Sequence, residues 1–377
     1  MSDFNIAIAC GGTGGHLSPG IALAQNLESS GYKTQLFISQ KQVDSRLIKK
    51  YKNLKYIAVP GVGLSLNPFR FIIFITSLLS NIFFAFIWLR KSRPNAVIAF
   101  GGFISVGLVL TAYILRIPIV LHEANRKTGR SIRLMSRFAT RIYLPDGVQL
   151  RGIDPSRIKY FGYPVRKEIS RIGKEESRKA LGLNPSGKLI VFIGGSQGAT
   201  IFNKWVVDNV ENLSLDGINV FCISGPLHGT DGTIQGTTIN GNSVSAVFKS
   251  FSDQIPEVLS SADLVISRAG AGSIAEIIRC RVPSILIPYP FASENHQLAN
   301  ALYFERQGGG VLFHQEKMDQ LLPEIKELLT NKWLLSRFQN NLKKMDSINC
   351  SELITRDLLQ ICGFEPETIV TGESELA

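Results

Sequence analysis

The chain has 377 residues, 45% hydrophobic and 19% charged, which supplies cores for two or three domains and excludes wholesale disorder. Its net charge of +11 is unevenly divided: residues 1–166 hold 22 Lys and Arg against 6 Asp and Glu, whereas residues 167–377 hold 19 against 24. The first half therefore suits an anionic partner. It has no groove-sized basic helix and no aromatics at base spacing, so a nucleic acid is excluded in favour of a phosphorylated substrate or an anionic membrane surface.

The chain opens on an apolar run, 4–10, that is too short for a signal peptide and reads as a first strand in a cytoplasmic protein. It leads into Gly11-Gly12-Thr13-Gly14-Gly15-His16. Ser18 is a good N-cap and Pro19 a good first-turn residue, so a helix is expected to start just after His16. The N–H groups of Thr13, Gly14 and Gly15 can then meet an oxyanion. The helix N-terminus keeps His16 neutral, fit to accept a proton or simply to cap the turn. The second strand, 34–39, ends in Ser39-Gln40, with Asp44 several residues on. The ribose-binding acid of a dinucleotide fingerprint is thus missing, which disfavours NAD.

From Phe71 to Leu89 run 19 uncharged residues flanked by Arg70, Arg90, Lys91 and Arg93. The length suits a membrane span. Thr76, Ser77, Ser80 and Asn81 interrupt it, however, and a span would place strands of one sheet on opposite sides of a bilayer. The expectation is a crossover helix whose outer face, with Phe71, Ile72, Ile75, Leu79, Phe83, Phe86 and Trp88, dips into the lipid interface. Further strands are expected at 96–100, 117–121 and 140–144, the second of them leading into His122-Glu123-Ala124-Asn125. At Tyr163-Pro164-Val165-Arg166 a hinge is expected, where a guanidinium can neutralise a diphosphate.

Beyond it, 182–188 mimics a P-loop but lacks the magnesium-binding hydroxyl and precedes its strand instead of following it. The strand 189–193 then runs into Gly194-Gly195-Ser196-Gln197-Gly198, a near-repeat of the first glycine turn 183 residues later. Strands at 218–223, 263–267, 282–287 and 310–313 complete a second set. Most runs are continuously apolar, as in parallel sheets buried on both faces, so the fold class is α/β with two similar doubly wound domains. Each domain contributes loops at its strands' carboxyl ends to one cleft. Ala271-Gly272-Ser273-Ile274-Ala275 opens a helix after the 263–267 strand, another anion site, with Glu276 placed to grip a vicinal diol or merely to favour the helix N-terminus. Glu294-Asn295-His296-Gln297 and Asn300 form a polar cluster after the 282–287 strand. The five scattered cysteines have no metal-site spacing, and no Asp-x-Asp is present to hold a divalent ion.

Seven stretches together resemble the MurG family of peripheral glycosyltransferases: GGTGGHLSPG (11–20), AFGGFIS (99–105), PIVLHEAN (118–125), GYPVR (162–166), GGSQGA (194–199), SRAGAGSIAE (267–276) and HQLANA (296–301), in family order. The resemblance implies a GT-B fold of two Rossmann-like domains: 1–166 for acceptor and membrane, with a C-terminal helix near 348–362 packing back on it, and 167–347 for the UDP-sugar. It implies inverting, metal- and cofactor-free transfer of N-acetylglucosamine from UDP-N-acetylglucosamine to the 4-hydroxyl of a lipid-linked acceptor, undecaprenyl-diphospho-N-acetylmuramyl-pentapeptide. The place of action would be the cytoplasmic face of the bacterial inner membrane. By motif, Thr13, Gly14, Gly15 and Asn125 fall near the donor sugar, and Arg166, Ser196 and Gln197 near the diphosphate. Ser252 falls at the uracil, 271–275 at phosphate, Glu276 at the ribose and Gln297 at the sugar hydroxyls, with His16 as general base. Tyr163, where the family usually has Asn, is a departure. The polar tail 363–377 is expected to be disordered. Two rivals stand beside this reading: a UDP-N-acetylglucosamine 2-epimerase, which needs further acid/base carboxylates, and a non-catalytic membrane-docked nucleotide-sugar-binding subunit.

Overall fold

The computed structural model describes residues 4–12, 14–60, 67–195, 199–225, 231–346 and 350–364. Two seven-stranded sheets carry the fold. The first comprises β1 (Asn5–Ala9), β2 (Lys33–Ser39), β3 (Tyr56–Val59), β4 (Ala96–Ala99), β5 (Ile119–His122), β6 (Arg141–Leu144) and β7 (Ile158–Tyr160), all parallel in the order β3-β2-β1-β4-β5-β6-β7. The second comprises β8 (Lys188–Ile193), β9 (Ile218–Ile223), β10 (Gly232–Thr237), β11 (Ser243–Lys249), β12 (Leu264–Ser267), β13 (Ser284–Leu286) and β14 (Gly310–Leu312). Its order is β10-β11-β9-β8-β12-β13-β14, parallel except for the β10–β11 hairpin.

The helices of the first unit are α1 (Gly14–Ser29), α2 (Gln42–Ile48), α3 (Pro68–Ser92), α4 (Phe103–Ile114) and α5 (Arg130–Met135). Those of the second are α6 (Lys174–Ala180), α7 (Thr200–Leu215), α8 (Ile255–Ser261), α9 (Ala271–Cys280), α10 (His296–Arg306), α11 (Leu321–Thr330) and α12 (Lys332–Met345). They cover both faces of each sheet, so the central strands are buried throughout and four apolar clusters form, two per sheet. The strand order reverses between β1 and β4 and again between β8 and β12. Ligands bind outside the carboxyl ends of strands at such reversals, and the glycine turns lie there.

The last helix, α13 (Cys350–Ile361), returns to the first sheet: Ile354 and Leu358 enter its core, Asn26 donates to Thr355 (2.9 Å) and the Tyr143 hydroxyl donates to Asp357 (2.9 Å). A disordered tail from 363 starts too early, because Phe364 packs edge-on against Phe4 with ring centroids 4.8 Å apart. Residues 365–377 lie outside the described residues.

Two local expectations are corrected. Helix α1 begins at Gly14, so Pro19 lies inside it and Ser18 does not cap it. A proline there cannot donate to the carbonyl of Gly15, four residues back, and the Tyr163 hydroxyl donates to that oxygen instead at 3.4 Å. On α3, Trp88 does not face outward. It sits about two helical turns from the buried Asn81, on the same face, and its ring packs edge-on against Phe37, 4.9 Å away. Phe86 is only half-exposed, and the Phe71 side chain is outside the described residues. The outer face keeps the expected Ile72, Ile75, Leu79 and Phe83 and adds Phe69, Ile73, Phe84 and Ile87. Ile72–Ser92 is long and apolar enough to cross a membrane. It is nevertheless fixed as a crossover between two strands of one sheet, packed along α4, with Asn81 donating to the Pro60 carbonyl at 2.7 Å.

Candidate active site

The first wall is built by the turns after β1 and β4. Gly101 and Gly102 both have positive φ (104° and 78°), and a Cβ on Gly102 would lie 2.9 Å from the Gly11 carbonyl oxygen, so only glycine fits. Cβ positions on Gly101 and Gly102 would fall 3.3 Å from His16 Nε2 and 3.5 Å from Nδ1, which places the imidazole directly against this turn. Burial is the largest cause of a lowered His16 pKa, about 4; Asp44 opposes it, while His296 and Lys41 add to it. The ring is therefore neutral at pH 7, as expected, but mainly through desolvation. The influence of His296, the first residue of α10, places the second unit within electrostatic reach of His16. Gly14 and Gly15 form the first turn of α1 beside it, and Thr13 is outside the described residues.

At the end of β5, Glu123 is buried and accepts from the N–H of Asn125 (2.8 Å), its side-chain amide (3.0 Å) and the N–H of Gly129 (2.7 Å). It thereby shapes the loop that presents Asn125. Burial raises the Glu123 pKa despite these donors. Asn125 accepts from Asn300 of α10 (3.1 Å), which also donates to the Ala269 carbonyl (3.1 Å) and accepts from the N–H of Arg126 (2.9 Å). The buried Asn300, singled out in sequence only as part of a polar cluster, thus bolts the two units together.

The second wall comes from the turns after β12 and β13. Gly270 precedes α9, and Ala271, Gly272 and Ser273 present its first N–H groups, which have no intrahelical acceptor; that of Ile274 already bonds the Gly270 carbonyl (3.0 Å). Ala275 and Glu276 follow one turn in. Gln297 is anchored by the N–H of Tyr289, which donates to its side-chain oxygen at 2.9 Å. Ser252 accepts from the N–H of Gln254 (3.1 Å), in a segment that the first unit touches: Arg46 stacks on Phe251 (4.3 Å) and Lys50 donates to the Asp253 carbonyl (3.0 Å). Ser196 and Gln197 lie outside the described residues. At the rim, Glu294 and Asn295 are both left-handed (φ 55° and 54°), and Glu294 pairs across the cleft with Arg130 (3.0 Å) and Arg133 (3.3 Å).

Arg166 and Glu276, assigned from sequence to opposite ends of a nucleotide, are paired with each other at 2.8 Å. Arg166 is only 8% exposed, and its guanidinium donates to the Tyr51 hydroxyl at 3.0 Å and lies 3.7 Å from Glu168. An arginine this buried requires a counter-charge, and Glu276 supplies it. Burial lowers the Arg166 pKa, but Glu276 and Tyr51 outweigh it and the net shift is upward. Neither Tyr51 nor Glu168 stood out in the sequence, since 115 residues separate Tyr51 from Arg166.

Residues 6–144 match the glycosyltransferase family 28 N-terminal domain and residues 189–349 the glycosyltransferase family 28 C-terminal domain. A UDP-N-acetylglucosamine–N-acetylmuramyl-(pentapeptide) pyrophosphoryl-undecaprenol N-acetylglucosamine transferase from Opitutus terrae is 48% identical over 95% of this chain and 94% of its own length. The crystal structure of Acinetobacter baumannii MurG superposes with a TM-score of 0.69 at 22% identity, over 95% of this chain and 99% of that one. A UDP-N-acetylglucosamine 2-epimerase from Neisseria meningitidis superposes with a TM-score of 0.66 at 13% identity, over 95% of this chain and 100% of that one. Likeness to the two solved structures establishes the GT-B fold and nothing finer.

Proposed function

Since the chain belongs to the MurG family of glycosyltransferases, we propose that it transfers N-acetylglucosamine from UDP-N-acetylglucosamine to the 4-hydroxyl of undecaprenyl-diphospho-N-acetylmuramyl-pentapeptide in peptidoglycan synthesis. The observation that carries the mechanism is His16 held against the Gly101–Gly102 turn, where burial keeps it neutral and where it feels the charge of His296, the first residue of α10 in the other unit. His16 takes the proton of the acceptor hydroxyl as its oxygen attacks the anomeric carbon. The bond from that carbon to the diphosphate oxygen breaks with inversion, and UDP leaves with the electron pair.

Negative charge that develops on the diphosphate is met by the N–H groups at Ala271–Ser273 and by Arg166. Because Arg166 is held by Glu276, the diphosphate competes with that carboxylate for the guanidinium. The exchange releases Glu276 to accept from the ribose hydroxyls. Asn125 and Gln297 flank the sugar, the segment at Ser252 the uracil, and Gly14 and Gly15 the reacting end.

The acceptor arrives along α3. Phe74 packs edge-on against Phe103 (5.6 Å), the residue after the Gly101–Gly102 turn, so the exposed apolar face continues to within one residue of the His16 cradle. This face and the basic first half dock the enzyme on anionic lipid at the cytoplasmic side of the inner membrane. The epimerase reading gains nothing from Glu123, which is consumed by backbone donors. A His16→Ala variant should lose about 10²–10⁴-fold in kcat while donor KM stays within a few-fold. Near-normal turnover would remove His16 from the base role.

A further inference from the structure

Asp44, noticed in the sequence only because it is misplaced for a dinucleotide-binding acid, is fully buried in the first turn of α2. It turns away from solvent toward the first glycine loop. Its Oδ2 accepts from the N–H of Gly12 (2.7 Å) and from the Ser39 hydroxyl and N–H (2.5 and 3.3 Å). Its Oδ1 is buried with no hydrogen-bond partner among the described residues. Lys41, three residues earlier, donates from Nζ to the Gly12 carbonyl at 2.9 Å. Both polar groups of Gly12 are therefore gripped from α2 and the residue that precedes it. Gly12 itself has φ 116°, a backbone conformation that other residues rarely adopt, and a Cβ on it would lie 4.0 Å from His16 Nδ1.

We propose that Asp44 and Lys41 are positioning residues that clamp Gly12 from both sides and thereby set the orientation of His16. The proposal rests on the reading of His16 as the general base. Glycine adopts this conformation without steric strain but is free to leave it, and two charge-assisted hydrogen bonds on one residue hold it in place. The clamp also carries opposite charges toward the imidazole. Asp44 favours the imidazolium that forms as the acceptor proton arrives, whereas Lys41, together with His296 from the other unit, disfavours it. Desolvation of the ring, with Lys41 and His296 acting in the same direction, outweighs Asp44, so the base is neutral before the reaction and the buried carboxylate partly offsets its charge during it.

The test uses the full chain with Asp44→Asn and Lys41→Met. Asp44→Asn keeps the side-chain shape and removes the charge; kcat should fall about tenfold or more, with donor KM within about twofold, because misplacement of a catalytic group costs turnover more than binding. The acid limb of kcat should move to lower pH in Asp44→Asn and to higher pH in Lys41→Met. A role confined to folding produces neither the opposite signs nor the split between kcat and KM. The ring ¹⁵N shifts of His16 at pH 7, assigned with His16→Gln, should change in both variants. Lys41 is exposed, so Lys41→Met remains informative if Asp44→Asn does not fold. Unchanged kcat, acid limb and His16 shifts in the folded variants would overturn the clamp. Normal turnover in His16→Ala would instead overturn the base reading, and the His16 shifts would still decide the clamp on their own.

Discussion

Replacing Phe69 and Phe83 together by Ser tests whether the outer face of α3 enters lipid. The two rings are 81% and 69% exposed and join no apolar cluster, so their removal costs the fold little. At about 25 cal/mol per Å², each ring has about 2 kcal/mol to gain from burial in acyl chains. Loss of both rings should weaken partitioning by about 4 kcal/mol, or about 10³-fold. Sedimentation with vesicles that contain anionic lipid measures this, with thermal unfolding followed in parallel. A matched Trp88→Ala variant should show the reverse, because its ring packs on Phe37: lower thermal stability and near-normal vesicle binding. If the Phe69/Phe83 variant partitions like the parent, the apolar face is not the lipid contact.

Other perturbations probe the cleft. Gly102→Ala should cost about 1–3 kcal/mol in stability through its positive φ, and more in turnover, since the new Cβ presses on Gly11 beside His16; calorimetry and kcat together check it. Arg166→Met leaves Glu276 unpaired and should cost about 3 kcal/mol while raising donor KM. Arg166→Met with Glu276→Leu should regain the stability but not the donor affinity, and recovery of both would argue against the exchange of partners. Buried His122 has a pKa lowered to about 4 by desolvation, against about 6.5 when unfolded. As pH falls below about 6.5 the unfolded chain takes up a proton that the folded chain refuses, so stability is complete above that pH and declines by up to about 1.4 kcal/mol per unit toward pH 4. Urea midpoints measured from pH 7.5 to 5 should show this slope reduced in His122→Asn, and an identical slope would refute the assignment.

The central strands were legible in the sequence because burial on both faces leaves an unbroken apolar run, as in Ile190–Phe192. Of the edge strands, β14 was expected at 310–313, whereas β3, β7 and β10 were not. β7 exposes Lys159 and Tyr160, and the β10 residues are almost all exposed, so neither carries that pattern. The glycine turns announced themselves through composition, and the structure sets them at the two strand-order reversals. What local sequence could not convey was pairing across distance. Nothing near Arg166 signals Glu276, 110 residues away, or Tyr51 in the other direction. Trp88 was misplaced for a related reason: residues on the two faces of α3 are alike in chemistry, and only the position of Phe37 decides which of them turns inward.

The account is tested most directly by incubating the purified full chain with radiolabelled UDP-N-acetylglucosamine and a short-chain lipid-linked acceptor in the presence of EDTA. Label should move into the lipid fraction in step with UDP release, and His16→Ala should slow the movement about 10²–10⁴-fold. Unlabelled lipid alongside epimerised or untouched nucleotide sugar would contradict it.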